Sequence, residues 1–584
     1  MEETKCPVSA THNGGQPMSA IDAYLSKPWL AHYTPGVPAT VDVPDISVPR
    51  AFDEACRMNP QRTAIAFYGA QIKYGELLEA SNRFAAALAA LGIKKGDRVA
   101  LYLLNSPQFV IAYFGALKAG AVVTPVSPVY TSHEIRHQLE DSGARAIVCQ
   151  DILFDKVAKC GAALDFAVLT NVGEYLPAMK RFLGKGPLGK LFSDMNLGSP
   201  DIPKKDGIHW LQDLLKKYPA TAPDITFDPA NDLAALPYTG GTTGHPKGVM
   251  LTHRNMIATK TASHAAFPYF EPGKEVIIAF LPFFHIYGQV VIMLNGLCEG
   301  HLLVVFTNPD TEAILGAMER YGATVFYGVP TLYEYLKDHK DTSKTNWKRL
   351  KILLSGADTL HESTMKDWAA RTGSTITEGY GLSETCASSH VNPLQRPKPG
   401  SFGCPIPNVN AAVIDPHSGE FLAANETGEL VLAGPHVMRG YWNRPEETAK
   451  VFLDAAGQHW LRTGDIVRMD EEGYFFFYDR TKDLIKYKGY SIFAKDIEDV
   501  LYEHPQVKAA GVIGVPDPAV GHIVKAIVVL QGDARGKLSE DDVRAWCAER
   551  LAEYKVPRII EFRGELPKTD VGKVSRRELR DEHA

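Results

Sequence analysis

Residues 238–249 read Tyr-Thr-Gly-Gly-Thr-Thr-Gly-His-Pro-Lys-Gly-Val. Gly240, Gly241 and Gly244 carry no side chains, so backbone N–H groups there can close around an anion. Thr239, Thr242 and Thr243 add hydroxyl donors, and Lys247 adds charge. Such a loop suits a polyphosphate; the alternative is a plain Gly/Thr turn. Other segments only imitate chemistry. Residues 184–190, GKGPLGK, fit GxGxxG and most of GxxxxGK[ST], but no strand leads in and Leu191 stands where Ser or Thr is needed. They read as a surface loop. His133 and His137 spell HExxH, yet His133 falls in the first turn of its helix, and no Glu between Glu140 and Glu174 offers a third ligand. A solvated helix face is the better reading. The GxSxG of a serine hydrolase is absent.

The elements that must position such a loop alternate along the chain. RVALYLL from Arg98 reads as a buried strand, PQFVIAYFGALKAG as a helix ending at Gly120, and AVVTPV as the next strand. Thr131 with Glu134 three residues on is a capping box that opens a further helix, and ARAIVCQ is again a strand. The rhythm returns between residues 275 and 380 in EVIIAFL, HLLVVF, ATVFYGV and LKILLSG. Repeated strand-helix-strand units predict parallel-rich α/β subdomains with sheets covered by helices. Residues 28–49 are Pro-rich and predict an extended lead-in wrapped on the surface, and residues 175–223 predict a surface insertion. From about residue 400 to 479, GELVLAG and GYFFFYD with Gly-rich turns predict a β-rich subdomain. Beyond Arg480 lies a compact α+β unit in which Ser539 and Asp542 cap a helix with Val543, Trp546, Cys547 and Leu551 on one face.

With 584 residues, 45% hydrophobic and 22% charged, the chain has ample core. A net charge of −6 without a Lys/Arg block excludes a nucleic acid backbone as partner. Eight scattered cysteines lack any CxxC, so neither a zinc site nor a disulfide framework is expected. The start, MEETKCPVSATHNGGQ, lacks the basic head and apolar run of a signal peptide. The most apolar run, residues 276–294, is broken by His285, Tyr287 and Gln289. A cytoplasmic protein is expected, with peripheral contact on the inner face of the cell membrane and a homodimer left open.

The loop at 238–249 has the form of the signature of the adenylate-forming superfamily, which comprises acyl-CoA synthetases, luciferases and peptide-synthetase adenylation domains, and the resemblance spans nearly the whole chain. Leu-Pro-Phe-Phe-His-Ile-Tyr-Gly at 281–288 resembles a motif that places His285 near the reacting carboxylate; alone, a His among aromatics reads as a core residue. Ser355, Gly356 and Ala357 match a segment that packs on adenine. Residues 378–385 place Glu378, Gly379, Tyr380, Gly381, Ser383 and Glu384 in the nucleotide site, with Tyr380 stacking on the base. The resemblance assigns Mg²⁺ to Glu384, where carboxylate oxygen suits a hard cation; alone, Glu384 reads as a solvated carboxylate. Asp465 and Arg480 match the ribose contacts. Lys482 falls on the hinge, and Lys573 matches the lysine that reaches from the small unit into the active site. Residues 486–491, Lys-Tyr-Lys-Gly-Tyr-Ser, depart from the common acyl-CoA ligase pattern toward luciferases and plant aromatic acyl ligases; Lys488, Gly489 and Tyr490 there border the thiol tunnel.

PWLAHYTPGVPA, the segment starting at Tyr175 and LAEYKVP from Leu551 look most like bacterial long-chain fatty acid CoA ligases. The resemblance therefore implies a body, residues 1–479, that binds AMP and the acyl chain, and a mobile unit, residues 480–584. It implies ATP and Mg²⁺, a fatty acid, and CoA as co-substrate. Medium-chain or aromatic acyl-CoA ligation, or loading of a separate carrier protein, are the alternatives. The acyl tunnel is expected along residues 327–330 and the helix after Gly288.

Overall fold

The Val/Ile/Leu-rich runs become strands covered on both faces. A computed structural model of the protein describes residues 19–177, 180, 200–202, 205–239, 246–307, 310–360, 362–480, 485–487, 490–517, 520–532, 538–568 and 574–582. Its largest sheet has nine strands. Six central ones, in the order Thr377–Tyr380, Ile352–Ser355, Val325–Gly328, Val276–Ala279, Leu302–Val305 and Thr63–Phe67, run parallel. Antiparallel strands close both sides: Ala70–Lys73 at one, His390–Val391 and Cys404–Pro405 at the other. A seven-stranded sheet centred on Arg98–Tyr102 is parallel except at one edge.

Both sheets share one apolar core. Helix Pro107–Lys118, buried at all twelve positions, lies in it with Ile277 and Ile278 of one sheet and Val99 and Leu101 of the other. A helix apolar on every side belongs in such an interior. Its last residue, Lys118, is neutralised there by Asp53 at 2.6 Å.

The predicted capping boxes form. Thr131 N–H donates to Glu134 at 2.7 Å ahead of helix Ser132–Ser142, and Ser539 N–H donates to Asp542 at 2.9 Å ahead of helix Glu540–Ala548. Two expectations need correction. Within the predicted insertion, Ile208–Trp210 is an edge strand of the seven-stranded sheet, and helix Leu211–Lys217 buries Leu211, Leu214 and Leu215. The lead-in is not merely superficial: Trp29 is 1% exposed, packs edge-on to Phe475, and fills the space beside Gly473. Residues 184–190 lie outside the described residues.

The β-rich region is an antiparallel five-stranded sheet from Asn410–Ile414 to Phe475–Arg480. After it, residues 485–579 supply separate apolar clusters around a second five-stranded sheet, in which Val507–Asp517 and Gly521–Leu530 form the central hairpin. The fold is therefore parallel-rich α/β with a β-rich subdomain and a small α+β unit.

Candidate active site

Four neighbouring parallel strands deliver their carboxyl ends to one line. Val276–Ala279 leads on to His285, Val325–Gly328 ends beside Tyr327, Ile352–Ser355 ends at the Ser355-Gly356-Ala357 segment, and Thr377–Tyr380 carries Glu378 and Tyr380. The carboxyl edge of an open α/β sheet is where ligands bind.

At one end of this line, the Tyr380 ring lies 4.5 Å from Phe402, and its hydroxyl donates to Asp465 Oδ2 at 2.6 Å. Burial, then the Asp465 charge, pushes that hydroxyl well above its usual pKa. Asp465 is paired across its sheet with Arg480, whose Nε lies 3.3 Å from Oδ1. Glu378 is 4% exposed; one oxygen accepts from Leu360 N–H at 3.1 Å and the other has no partner. Burial pushes its carboxyl up to about 7. The Ser355 hydroxyl is likewise buried without a partner, and Ala357 holds a positive φ of 73°. At Gly381 any Cβ would overlap the Ala387 carbonyl, so the turn that presents Ser383 and Glu384 requires glycine.

Beside the glycine-rich loop, Tyr441 donates to Glu384 Oε1 at 2.9 Å, and Met438 N–H donates to the Glu384 carbonyl at 2.8 Å. One carboxylate oxygen is thereby fixed while the other faces no protein donor among the described residues, an arrangement that fits a magnesium ion shared with phosphate. Thr239 pairs with Lys247 in a two-residue ribbon at the base of the glycine loop. The ammonium of Lys247 pairs with Glu447 and lies 5.0 Å over the Tyr441 ring. Tyr238 donates to Asp141 at 2.7 Å, and Arg444 binds the other oxygen of Asp141 at 2.8 Å. Gly240, Gly241, Thr242, Thr243 and Gly244 lie outside the described residues.

On the apolar side, His285 Nδ1 accepts from Tyr287 N–H at 3.3 Å. Residues Tyr287–Leu294 form a π-helix, a geometry that concentrates at functional sites. Its start depends on Gly288, where a Cβ would overlap the Pro282 carbonyl. The Tyr287 ring packs against Gly356 and lies 6.2 Å from Tyr327, with its hydroxyl buried and unpartnered. Gln289 is fully buried, and both its amide atoms lack partners.

The structure thus gathers His285, Ser355, Gly356, Ala357, Glu378, Gly379, Tyr380, Gly381, Ser383 and Glu384 along one sheet edge, with Asp465 and Arg480 joined through Tyr380 and Lys247 joined through Tyr441. Lys482, Lys488, Gly489 and Lys573 lie outside the described residues, and Tyr490 opens the strand Tyr490–Ile492. Sequence reasoning missed Phe402, Tyr441, Glu447 and Asp141. Only the segment GYWNRPEE at 440–447 carried a local signal, an aromatic-basic-acidic run without apolar period. Among the described residues the HExxH histidines join no group of three potential metal ligands, and His137 Nε2 lies 3.4 Å from the Pro246 carbonyl. Glu312, His339 and Asp341 could meet one cation, but they stand at the surface on another part of the fold.

The model of the AMP-binding enzyme family matches residues 52–442, and that of the AMP-binding enzyme C-terminal domain matches residues 496–573. A long-chain-fatty-acid–CoA ligase of Bacillus subtilis (strain 168) is 40% identical over 95% of this chain and 98% of its own. A ligase of the same name from Escherichia coli O157:H7 is 36% identical over 96% and 98%. Among solved structures, ATP-bound MatB from Rhodopseudomonas palustris superposes with a TM-score of 0.79 at 30% identity, over 92% of this chain and 99% of that one.

Proposed function

The chain belongs to the AMP-binding enzyme family, and from that premise we propose that it joins a long-chain fatty acid to coenzyme A in an ATP-dependent, AMP-forming reaction. The observation that carries this reading is the extent of the likeness: ligases of that name match 95 to 96% of the chain, spanning body and small unit alike.

In the first step the fatty carboxylate attacks the α-phosphate of ATP; the new P–O bond gives acyl-AMP, and the bond to pyrophosphate breaks. The adenine lies on Tyr380 between the Ser355-Gly356-Ala357 segment and Glu378. Asp465 and Arg480 take the ribose. Residues 239–247 hold the β- and γ-phosphates, and Lys573 stabilises the charge that develops on transfer. Glu384 would hold the magnesium ion, which supplies charge neutralisation at the phosphates. In the second step the CoA thiolate attacks the acyl carbonyl and AMP leaves. His285 borders that carbonyl, while Lys488, Gly489 and Tyr490 border the thiol's path. The two units divide at residue 480, and the small one turns about Lys482 between steps, so that Lys573 serves the first and the Gly489 loop the second.

The acyl chain runs along the π-helix Tyr287–Leu294 and residues 327–330. Each methylene buried there is worth about 0.8 kcal/mol, which favours long chains if the channel is deep. No helix of the described residues is long and apolar enough to cross a membrane; peripheral contact is supported by the partition of such an acid into bilayers.

The test is incubation with ATP, Mg²⁺ and acids of graded length, with and without CoA. Acyl-CoA, AMP and pyrophosphate formed in equal amounts from long-chain acids are expected. AMP without acyl-CoA would point instead to a carrier-loading enzyme.

A further inference from the structure

Asp479 ends the β-rich sheet three residues before Lys482, and none of its surface is exposed. Its carboxylate is taken up by the small unit. Oδ2 accepts from Ala494 N–H at 2.6 Å, at the start of helix Ala494–Tyr502, and Oδ1 accepts from Arg576 at 3.0 Å and from Arg480 N–H at 2.8 Å. Arg576 also donates to both oxygens of Glu498, at 3.1 and 2.5 Å, and Glu498 accepts from Val512 N–H at 2.8 Å. One guanidinium therefore ties strand Phe475–Arg480, built into the body's sheet by its pairing with Gln458–Met469, to a helix and the central hairpin of the small unit.

The partners lie on opposite sides of the proposed pivot. Asp479 precedes residue 482, whereas Ala494 and Arg576 follow it, and Arg576 is three residues past Lys573 in the chain. Rotation about Lys482 large enough to exchange Lys573 for the Gly489 loop moves Arg576 and Ala494 relative to Asp479. A buried carboxylate without its cation is unfavourable, so that movement is opposed until water or other donors replace them. In the orientation seen here, the charge of Lys495, next to Ala494 on the same helix, favours the charged form of Glu378.

We infer that the Asp479–Arg576 pair is a positioning latch that holds the small unit in this orientation and so sets the balance between the two half-reactions. Neither side chain acts on substrate. The inference rests on the two-step reading given above.

The experiment uses the full chain as wild type, Asp479→Asn and Arg576→Lys. Asn at 479 keeps an acceptor but loses the charge; Lys at 576 keeps the charge but loses the forked reach. Two rates are measured: fatty-acid-dependent exchange of pyrophosphate into ATP, and thioester formation from supplied acyl-AMP and CoA. Both variants should change the ratio of these rates in the same direction by about tenfold, one rate holding or rising while the other falls, a size typical of coupling between two states. A merely structural pair would depress both rates together. That outcome, an unchanged ratio, or opposite shifts in the two variants overturns the latch. If one variant fails to fold, the ratio in the other decides. Wild type inactive in both assays overturns the two-step reading itself, and the latch with it.

Discussion

At one end of the sheet edge, Tyr380, Asp465 and Arg480 are joined to one another, and Glu384 to Tyr441, by hydrogen bonds and an ion pair of 2.6 to 3.3 Å. At the other, Tyr287 and Tyr327 are packed among apolar neighbours, and the Tyr287 hydroxyl and the Gln289 amide have no hydrogen-bond partner among the described residues. Tyr380 and Tyr327 stand on strands of the same nine-stranded sheet. The difference matches what the proposed function asks each to hold. A charged nucleotide is bound best by dipoles and charges already fixed in place, because no reorganisation is then needed when charge moves. An alkyl chain asks only for volume and dryness, which many apolar residues supply equally.

The deepest test of that contrast removes the charge that Lys573 is proposed to deliver to the nucleotide end. Lys573→Ala should slow fatty-acid-dependent pyrophosphate exchange by about 10²- to 10³-fold while thioester formation from supplied acyl-AMP survives. Equal loss in both assays would remove Lys573 from the first step. Next in size is Asp465→Asn, which weakens the bonds to Tyr380 and Arg480 and the proposed ribose contact. A charge-assisted hydrogen bond is worth about 1.5–3 kcal/mol, so KM for ATP should rise by about 10- to 100-fold with KM for the acid little changed. A rise confined to the acid would place Asp465 at the other end.

The same contrast governs what the sequence revealed. Parallel sheets and both capping boxes were legible because local period and spacing encode them, as where Thr131 sits three residues from Glu134, whereas the residues from Glu378 to Glu384 were named only through the family resemblance. Tyr441 and Phe402 were not legible, since their partners Glu384 and Tyr380 are far away in sequence and nothing local says that they meet. Ile208–Trp210 escaped notice because three residues are too few for a period, and its neighbours suggested a loop. The π-helix was hidden for another reason: the apolar run from Val290 to Leu294 is equally compatible with α-helix, and only the carbonyl packed against Gly288 distinguishes them.

Glu378, on the same strand as Tyr380, gives that end a pH dependence. Its carboxyl, near 4.5 when solvated, is pushed by burial to about 7 in the folded protein. Between those values the folded state holds a proton that the unfolded state has released, so stability falls as pH rises through that window and is level above it. Glu378→Gln should abolish this slope and gain on wild type by about 1–3 kcal/mol between pH ~5 and pH ~8, read from denaturant midpoints. Parallel pH profiles for the two proteins would mean that the carboxyl is solvated and belongs fully to the polar end.

The smallest expected effect probes the apolar end through its one misplaced amide. Gln289 is fully buried on the π-helix, with neither amide atom hydrogen-bonded. A buried amide without partners costs about 1–3 kcal/mol, and Leu has nearly the same volume, so Gln289→Leu should stabilise the ligand-free protein by about 1 kcal/mol. In a protein of this size that is a rise of about 1 °C in Tm, provided unfolding is reversible. If the apolar end asks only for dryness, KM for long-chain acids should fall or hold in the same variant. Stabilisation accompanied by a higher KM would mean that the amide meets its partner only when the acyl chain is bound, and the apolar end would then share with the nucleotide end a polar group kept waiting for its ligand.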